Sequence, residues 1–195
     1  MESTVYFKSY PPPDYNMREI MRYMGAKELE GESKRLFDEC MKEAGDELSY
    51  KVVWREFDIK TEDGITDLVF AKVESRDLKK ALAGAKKIIL FAATVGLGID
   101  RLIARYKRIS PAKSLMFSAI GSERIESLCD LFCDELKREG TDIGKRYSPG
   151  YGDLSLELQR DIMAALLMPK TAGISLNENL LMSPSKSVTA ILGIR

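Results

Sequence analysis

The sequence predicts an α+β fold, and two observations carry this prediction. Residues 50–59 are rich in β-branched and aromatic side chains and, after a turn at Glu62-Asp63-Gly64, residues 65–73 return as a second extended segment, which predicts a β-hairpin. Other segments repeat apolar residues three and four apart, as amphipathic helices do, without a regular βαβ alternation. We expect an N-terminal helical segment over residues 1–45 and an α+β body over residues 46–195, together in one compact unit.

The N-terminal segment is predicted to contain a short strand at Thr4–Phe7 and two helices. Asn16 is a typical N-cap for the first helix, and Gly25 is a typical residue to end it. The second helix is expected over residues 27–44, where an apolar stripe alternates with charged residues, and Gly45 is expected to end it.

The body is predicted to centre on Ile88–Ala93, which is apolar on both faces, as expected of a central strand covered by helices on each side. Residues 111–137 predict either one long helix or two helices that meet at Gly121. Further elements are expected as helices over residues 77–83 and 156–168 and a closing strand over residues 187–194.

The central strand runs into a glycine pair, Gly96 and Gly98, that partly matches the G-x-G-x-x-G dinucleotide-binding fingerprint. The third glycine would fall on Arg101, where close packing of helix on strand requires a glycine. We therefore interpret the two glycines as a strand-to-helix turn and not as a cofactor loop.

The charge pattern argues against nucleic acid as a partner, and the short apolar runs argue against a membrane. Lys plus Arg equals Asp plus Glu at 30 each, and the charges are interspersed, so the chain has no basic stripe to follow a phosphate backbone. The apolar runs are shorter than the roughly 20 residues that span a bilayer, and the N-terminus has no signal-peptide pattern. We expect a cytoplasmic protein.

The cysteines and the absence of histidine limit the chemistry further. Three cysteines outside any disulfide framework fit a reducing compartment. Cys129 and Cys133 lie four residues apart, and without histidine we expect them to be small core side chains and expect no metal site. The lack of histidine also excludes the Ser-His-Asp and Cys-His catalytic arrangements.

The most informative stretch is Arg146-Tyr147-Ser148-Pro149-Gly150-Tyr151-Gly152-Asp153. Pro149 fixes φ near −65° and Gly150 allows a positive φ, so the stretch predicts a tight turn. A guanidinium beside such a turn suits bidentate capture of a carboxylate, and the Tyr151 ring offers a flat face for a base. The alternative is an ordinary loop in which Arg146 pairs with a surface acid.

Read with the residues that follow, this stretch resembles the activation domain of cobalamin-dependent methionine synthase, especially its free-standing bacterial forms. That family has an Arg-x-x-x-Gly-Tyr motif, which maps onto Arg146, Gly150 and Tyr151. Its later motif and its Thr-x-Gly strand end map onto Leu176, Glu178, Met182, Pro184, Ser187, Val188, Thr94 and Gly96. The resemblance implies a twisted antiparallel sheet with helices packed around it.

The resemblance also implies a site for S-adenosylmethionine. Its carboxylate is expected on Arg146 and its adenosyl part near Tyr151. The family places an acidic residue on the helix before the motif. Asp130 is our first choice for it, and Glu126, one turn earlier, is the second. The alternative is that both are solvent-exposed acids with no part in binding. The implied set is Arg146, Gly150, Tyr151, Asp153, Asp130, Glu126 and Glu178.

The function that the resemblance implies is reductive reactivation of cobalamin-dependent methionine synthase. The chain would orient S-adenosylmethionine so that its methyl group reaches cob(I)alamin, which is held by a partner synthase chain or corrinoid protein. A flavodoxin-like reductant would supply the electron that returns inactive cob(II)alamin to cob(I)alamin. Because the cofactor carries the chemistry, no catalytic residue and no catalysis by this chain alone are expected.

Two other interpretations stay open. The chain could be a docking or ligand-sensing module that has kept the fold and lost the reaction: family elements missing at the C-terminus favour this, and the intact Arg146, Gly150 and Tyr151 disfavour it. The family's histidine shortly after Gly-Tyr, at a position linked to the cobalamin module, is also absent. A methyltransferase acting on another small acceptor has less support, since nothing in the sequence is typical of a recruited general base.

Overall fold

The computed structural model describes residues 4–62 and 64–195. The strands are β1 Tyr6–Tyr10, β2 Tyr50–Asp58, β3 Lys60–Glu62, β4 Ile65–Asp67, β5 Lys72–Glu74, β6 Lys87–Thr94, β7 Ser175–Leu176, β8 Met182–Ser183 and β9 Ser187–Ile194. The helices are α1 Met17–Met24, α2 Gly31–Glu47, α3 Arg76–Ala81, α4 Gly98–Ile109, α5 Pro111–Arg138, α6 Leu158–Ala165 and α7 Met168–Thr171.

The main sheet is antiparallel, with strand order β1-β2-β6-β9. Helices α1, α2, α4 and α5 pack on one face, and α3, α6 and α7 pack on the other. Strand β6 lies between two neighbours and is buried from Ile88 to Thr94, because apolar side chains on both of its faces meet these two layers. The predicted α+β class and the antiparallel sheet surrounded by helices are confirmed.

The predicted hairpin between residues 50–59 and 65–73 is wrong. Strand β2 pairs with β1 and β6 instead, and β3, β4 and β5 form a separate small antiparallel sheet. Strand β6 is far more apolar than residues 60–74, so pairing with it buries more surface and outweighs the local turn signal. Gly64 has φ 85°, which fits the predicted turn, and Asp63 of that turn lies outside the described residues.

Helix ends follow capping geometry more closely than the apolar pattern. Asn16 accepts a hydrogen bond from the Glu19 backbone amide at 3.3 Å and Gly25 ends α1 in the left-handed region, both as predicted. Helix α2 begins later than predicted, at a capping box between Glu30 and Ser33, and continues through Gly45. The prediction that Gly45 ends the helix is wrong.

The long helix predicted over residues 111–137 is continuous, whereas the one predicted over residues 156–168 is divided in two. Helix α5 is a single 28-residue helix that passes through Gly121, where an added Cβ would lie 3.0 Å from Cγ of Lys186. That glycine therefore serves close packing and does not mark a break. The helix predicted over residues 156–168 is shorter, because Leu167 has φ 52° and separates α6 from α7.

The glycine pair after β6 lies against the junction of α2 and β2. A Cβ on Gly96 would lie 2.4 Å from Oγ of Ser49, and one on Gly98 would lie 2.1 Å from the backbone oxygen of Glu47. Close approach of backbones accounts for both glycines, as expected of a strand-to-helix turn.

We predict that Gly98→Ala lowers the free energy of unfolding by about 1–3 kcal/mol, the usual cost of overpacking, because the Glu47 carbonyl must move. Gly45→Ala is the control, since a Cβ there meets nothing within 4 Å and a helical glycine costs roughly 0.5–1 kcal/mol relative to alanine. Urea denaturation of both variants tests this. Equal stability of Gly98→Ala and the wild type would show that the α2–β2 junction adjusts freely.

A buried ion pair fixes the proline-rich segment before α1. Nε of Arg124 donates to Glu123 at 2.6 Å, and its Nη1 and Nη2 donate to the carbonyl oxygens of Pro13 and Asp14 at 2.5 and 2.7 Å. Glu123 also accepts from the Asn16 backbone amide at 3.0 Å. Helix α5 thereby holds the N-cap of α1.

The cysteines are buried core side chains, as predicted. Cys40 and Cys129 are fully buried, and Cys133 is 7% exposed. Burial raises the pKa of Cys40 to about 11 and raises the pKa of Cys129 as well, so these thiols stay protonated. Within residues 4–62 and 64–195 there is no cluster of metal-ligating side chains and no helix long and apolar enough to cross a membrane.

Candidate functional site

The Pro-Gly turn is tied to the outer edge of β9. The Tyr147 and Ile191 backbones exchange two hydrogen bonds of 3.0 and 2.8 Å. Gly150 has φ 88°, as the turn prediction requires, and its amide donates to the Leu154 carbonyl at 2.8 Å. Because backbone hydrogen bonds hold both ends of the turn, the backbone positions of Arg146 and Tyr151 are fixed relative to β9.

Arg146 meets the two acidic residues of α5. Its Nη2 donates to Oδ1 of Asp130 at 2.9 Å and to Oε2 of Glu126 at 3.1 Å. Burial lowers the pKa of Arg146, but the acidic groups around it outweigh that effect and raise it, so the guanidinium stays charged. Its Nε and Nη1 donate to no described residue, which leaves one edge of the guanidinium for a ligand.

A groove of about 650 Å³ opens beside this cluster. One wall is the turn, from Arg146 to Tyr151, and the opposite wall is formed by Leu180–Met182 and the start of β9. Gln159 and Leu156 line it from the α6 side. The groove is thus charged where it meets Arg146 and Glu126 and mostly apolar along its length, which is typical of a small-molecule site.

The predicted site residues fall into two groups. Arg146, Glu126 and Tyr151 line the groove, and Gly150 shapes the turn between them. Asp130 touches Arg146 but lines a second cavity of about 970 Å³, which Arg146 also lines, and not the groove. The acids share one face of α5, as their spacing predicts, and the roles assigned to these residues stay predictions.

Asp153 and Glu178 lie away from the groove lining within the described chain. The Asp153 carboxylate accepts hydrogen bonds from the Ser75 hydroxyl at 2.5 Å and from the Arg76 and Asp77 amides at 2.9 and 3.3 Å. It therefore caps the start of α3. Glu178 is exposed on the loop between β7 and β8.

The cap predicts an acid-dependent contribution to stability. The hydrogen bond from Ser75, followed by those from the α3 amides, holds the pKa of Asp153 below its ordinary value. A depressed folded-state pKa contributes stability above roughly pH 4, and the contribution is lost as the pH falls through the folded pKa. We expect Asp153→Asn to unfold with a shallower acid dependence than the wild type below about pH 4.

Urea denaturation at a series of pH values measures this dependence, with exposed Asp161→Asn as the control. Parallel pH curves for the wild type and Asp153→Asn would exclude the cap as a source of acid sensitivity.

Comparison with known proteins supports the fold at low sequence identity. No protein-family model and no curated protein matches the sequence. Among solved structures, the chain is similar to one described as the crystal structure of the MetH reactivation domain bound to AdoHcy, where AdoHcy denotes S-adenosylhomocysteine, with a TM-score of 0.70 and 16% identity. The alignment covers 97% of this chain and 78% of that one. The chain has the fold of the MetH reactivation domain.

This match bears out the fold that the Arg-Gly-Tyr stretch and the later motif implied. It covers nearly the whole chain, so the MetH reactivation-domain fold includes the N-terminal strand and helices as well as the region of the motifs. Sequence similarity is low because the fold depends on burial pattern and strand pairing, which many sequences satisfy.

The predicted site residues leave out part of the groove lining, including Leu180, Gln159 and Thr189. Leu180 is 8% exposed and lines the groove, and its backbone is held at φ 62°, a conformation that L-residues rarely adopt. Gln159 and Thr189 are buried polar residues that line the same space. The sequence offered a signal for the turn that contains Leu180: the Asn177 side-chain oxygen accepts from the Asn179 and Leu181 amides, a pattern typical of asparagine in turns.

Proposed function

We propose that the groove binds S-adenosylmethionine and that the chain is a reactivation module for a cobalamin-dependent methionine synthase. The observation that carries the proposal is the open edge of the Arg146 guanidinium, held by Glu126 and Asp130 at the end of a ligand-sized groove. A related fold with AdoHcy bound, at a TM-score of 0.70, supports the same ligand class.

The groove chemistry matches the charges of this ligand. S-adenosylmethionine carries a carboxylate, an ammonium and a sulfonium group. The free donors of Arg146 suit the carboxylate, and the Glu126 carboxylate, which lines the same groove, suits a cation. Tyr151, whose side chain is 68% exposed at the rim, and the leucines of the opposite wall offer apolar surface to the adenosyl part.

In this function the chain orients the ligand for a reaction on another protein. The partner is a cobalamin-binding synthase chain or corrinoid protein, and a flavodoxin-like protein supplies the electron. Cob(I)alamin held by that partner supplies the nucleophile, while the residues of this chain hold the methyl donor and exclude water. Buried cysteines without disulfide bonds fit the reducing cytoplasm in which such a reaction would take place.

Calorimetric titration of the wild-type chain tests the binding step. We expect S-adenosylmethionine and S-adenosylhomocysteine to bind, and adenosine or methionine alone to bind much more weakly, because each lacks part of the recognised ligand. Binding of neither full ligand at millimolar concentration would overturn the proposal.

A docking or ligand-sensing module is the second candidate. It is favoured by the pairing of Arg146 with two acids of its own chain, which compete with a ligand carboxylate. A mixture of the chain, reduced cobalamin on a synthase fragment and S-adenosylmethionine separates the two functions. Formation of methylcobalamin supports reactivation, and ligand binding without methyl transfer supports sensing.

A further inference from the structure

The groove contains a buried amide that the proposed function has not used. Gln159 on α6 is 4% exposed and lines the groove. Its Oε1 accepts a hydrogen bond of 3.0 Å from the hydroxyl of Thr189, which is 1% exposed. Burying a polar side chain at this position costs free energy unless its remaining hydrogen-bonding groups also find partners.

The other half of the amide is open to the groove. Nε2 of Gln159 donates to no residue within 4–62 and 64–195. Among these residues, the fully buried side-chain polar atom that lacks a partner is the Tyr10 hydroxyl, so Nε2 is not fully buried. Nε2 is therefore accessible from the groove. Because Thr189 holds the oxygen, the N–H groups are directed toward whatever occupies the space.

Gln159 and Arg146 lie at opposite faces of the main sheet. Side chains alternate along β9, so Thr189 is on the face of Ile191, which packs with Leu158 of α6. Arg146 reaches Glu126 on α5, which packs on the other face. The groove thus crosses the edge of β9, with the ion cluster at one end and the amide at the other.

We propose that Gln159 is a specificity-determining residue that donates a hydrogen bond to an acceptor atom on the nucleoside part of the ligand. This inference rests on the proposed function, because a ligand anchored by its amino-acid end at Arg146 places its nucleoside across the strand edge, over Gln159. A purine supplies ring-nitrogen acceptors, and its ribose supplies hydroxyls. Thr189 is a positioning residue that fixes which end of the amide faces the ligand.

Calorimetry with S-adenosylhomocysteine and analogues that each lack one acceptor tests the proposal. The analogues carry CH in place of ring nitrogen 1, 3 or 7, or lack the 2′-hydroxyl. Gln159→Met has nearly the same volume and no donor, and we expect it to weaken binding of S-adenosylhomocysteine roughly three- to tenfold. One analogue should bind the wild type correspondingly less well and show no further loss with Gln159→Met.

Two variants complete the experiment. Thr189→Val frees the amide to turn over and should produce part of the same loss, whereas Arg160→Met, on the exposed side of α6, should produce none. Melting temperatures of all variants identify any loss caused by misfolding.

Equal affinity of Gln159→Met and the wild type for S-adenosylhomocysteine overturns this inference and leaves the proposed function standing. So does a ratio of wild-type to Gln159→Met affinity that is the same for every analogue. Absence of wild-type binding to S-adenosylhomocysteine overturns both.

Discussion

Arg146→Ala is expected to weaken binding of S-adenosylmethionine by roughly ten- to a hundredfold, because a charge-assisted bidentate hydrogen bond is worth on the order of 1.5–3 kcal/mol. The loss should be in affinity and not in folding. Glu126 and Asp130 are 46% and 68% exposed, so water can solvate both carboxylates once the guanidinium is gone. Calorimetry and thermal unfolding of the same preparation separate these effects.

The neighbouring residue provides a matched control for that substitution. Lys145 lines the second cavity and not the groove, so Lys145→Ala removes one positive charge without removing the groove donor. Its affinity should match that of the wild type. Equal losses for the two variants would indicate a general electrostatic effect of net charge, and unchanged affinity of Arg146→Ala would exclude Arg146 from the site.

The largest expected loss of stability is that of Arg124→Met. Arg124 and Glu123 are 0% and 1% exposed, and removing one partner of such a pair leaves the other charge buried. That change typically costs about 3–5 kcal/mol. The carbonyl oxygens of Pro13 and Asp14 lose their donors as well, so residues 11–16 should detach from α5 first.

An exposed pair on α6 is the control for this prediction. Arg160 and Glu157 are 57% and 69% exposed, and Arg160→Met should change the free energy of unfolding by less than about 1 kcal/mol. Urea denaturation gives both values, and hydrogen exchange locates the detached segment. A loss below about 1 kcal/mol for Arg124→Met would mean that water reaches Glu123 and that the pair is not energetically buried.

The sequence was sufficient wherever local rules decide the structure. The α1 caps at Asn16 and Gly25, the positive φ of Gly150 and the buried strand at Ile88–Ala93 each follow from a residue's own conformational or hydrophobic preference. Pairing partners are decided by competition across the whole chain. Strand β2 therefore pairs with β6 and not with the 65–73 segment, because β6 is the more apolar partner.

In the site, too, local spacing predicted some residues, and others depend on packing between distant segments. The spacing of Glu126 and Asp130 on one helix, with Arg146 after it, was enough to predict that the three could meet, and they do. Gln159 could not be found in this way. Its neighbours in the chain form an ordinary amphipathic helix, and only the packing of α6 against the β9 edge turns its amide toward Thr189 and the groove.

A crystal structure of the chain with S-adenosylhomocysteine would show directly whether the groove beside Arg146 is the ligand site. We expect the ligand in the 650 Å³ groove, with its carboxylate on the Arg146 guanidinium and its nucleoside across the edge of β9. A ligand in the 970 Å³ cavity beside Lys145, or one that leaves Arg146 paired only with Glu126 and Asp130, would contradict it.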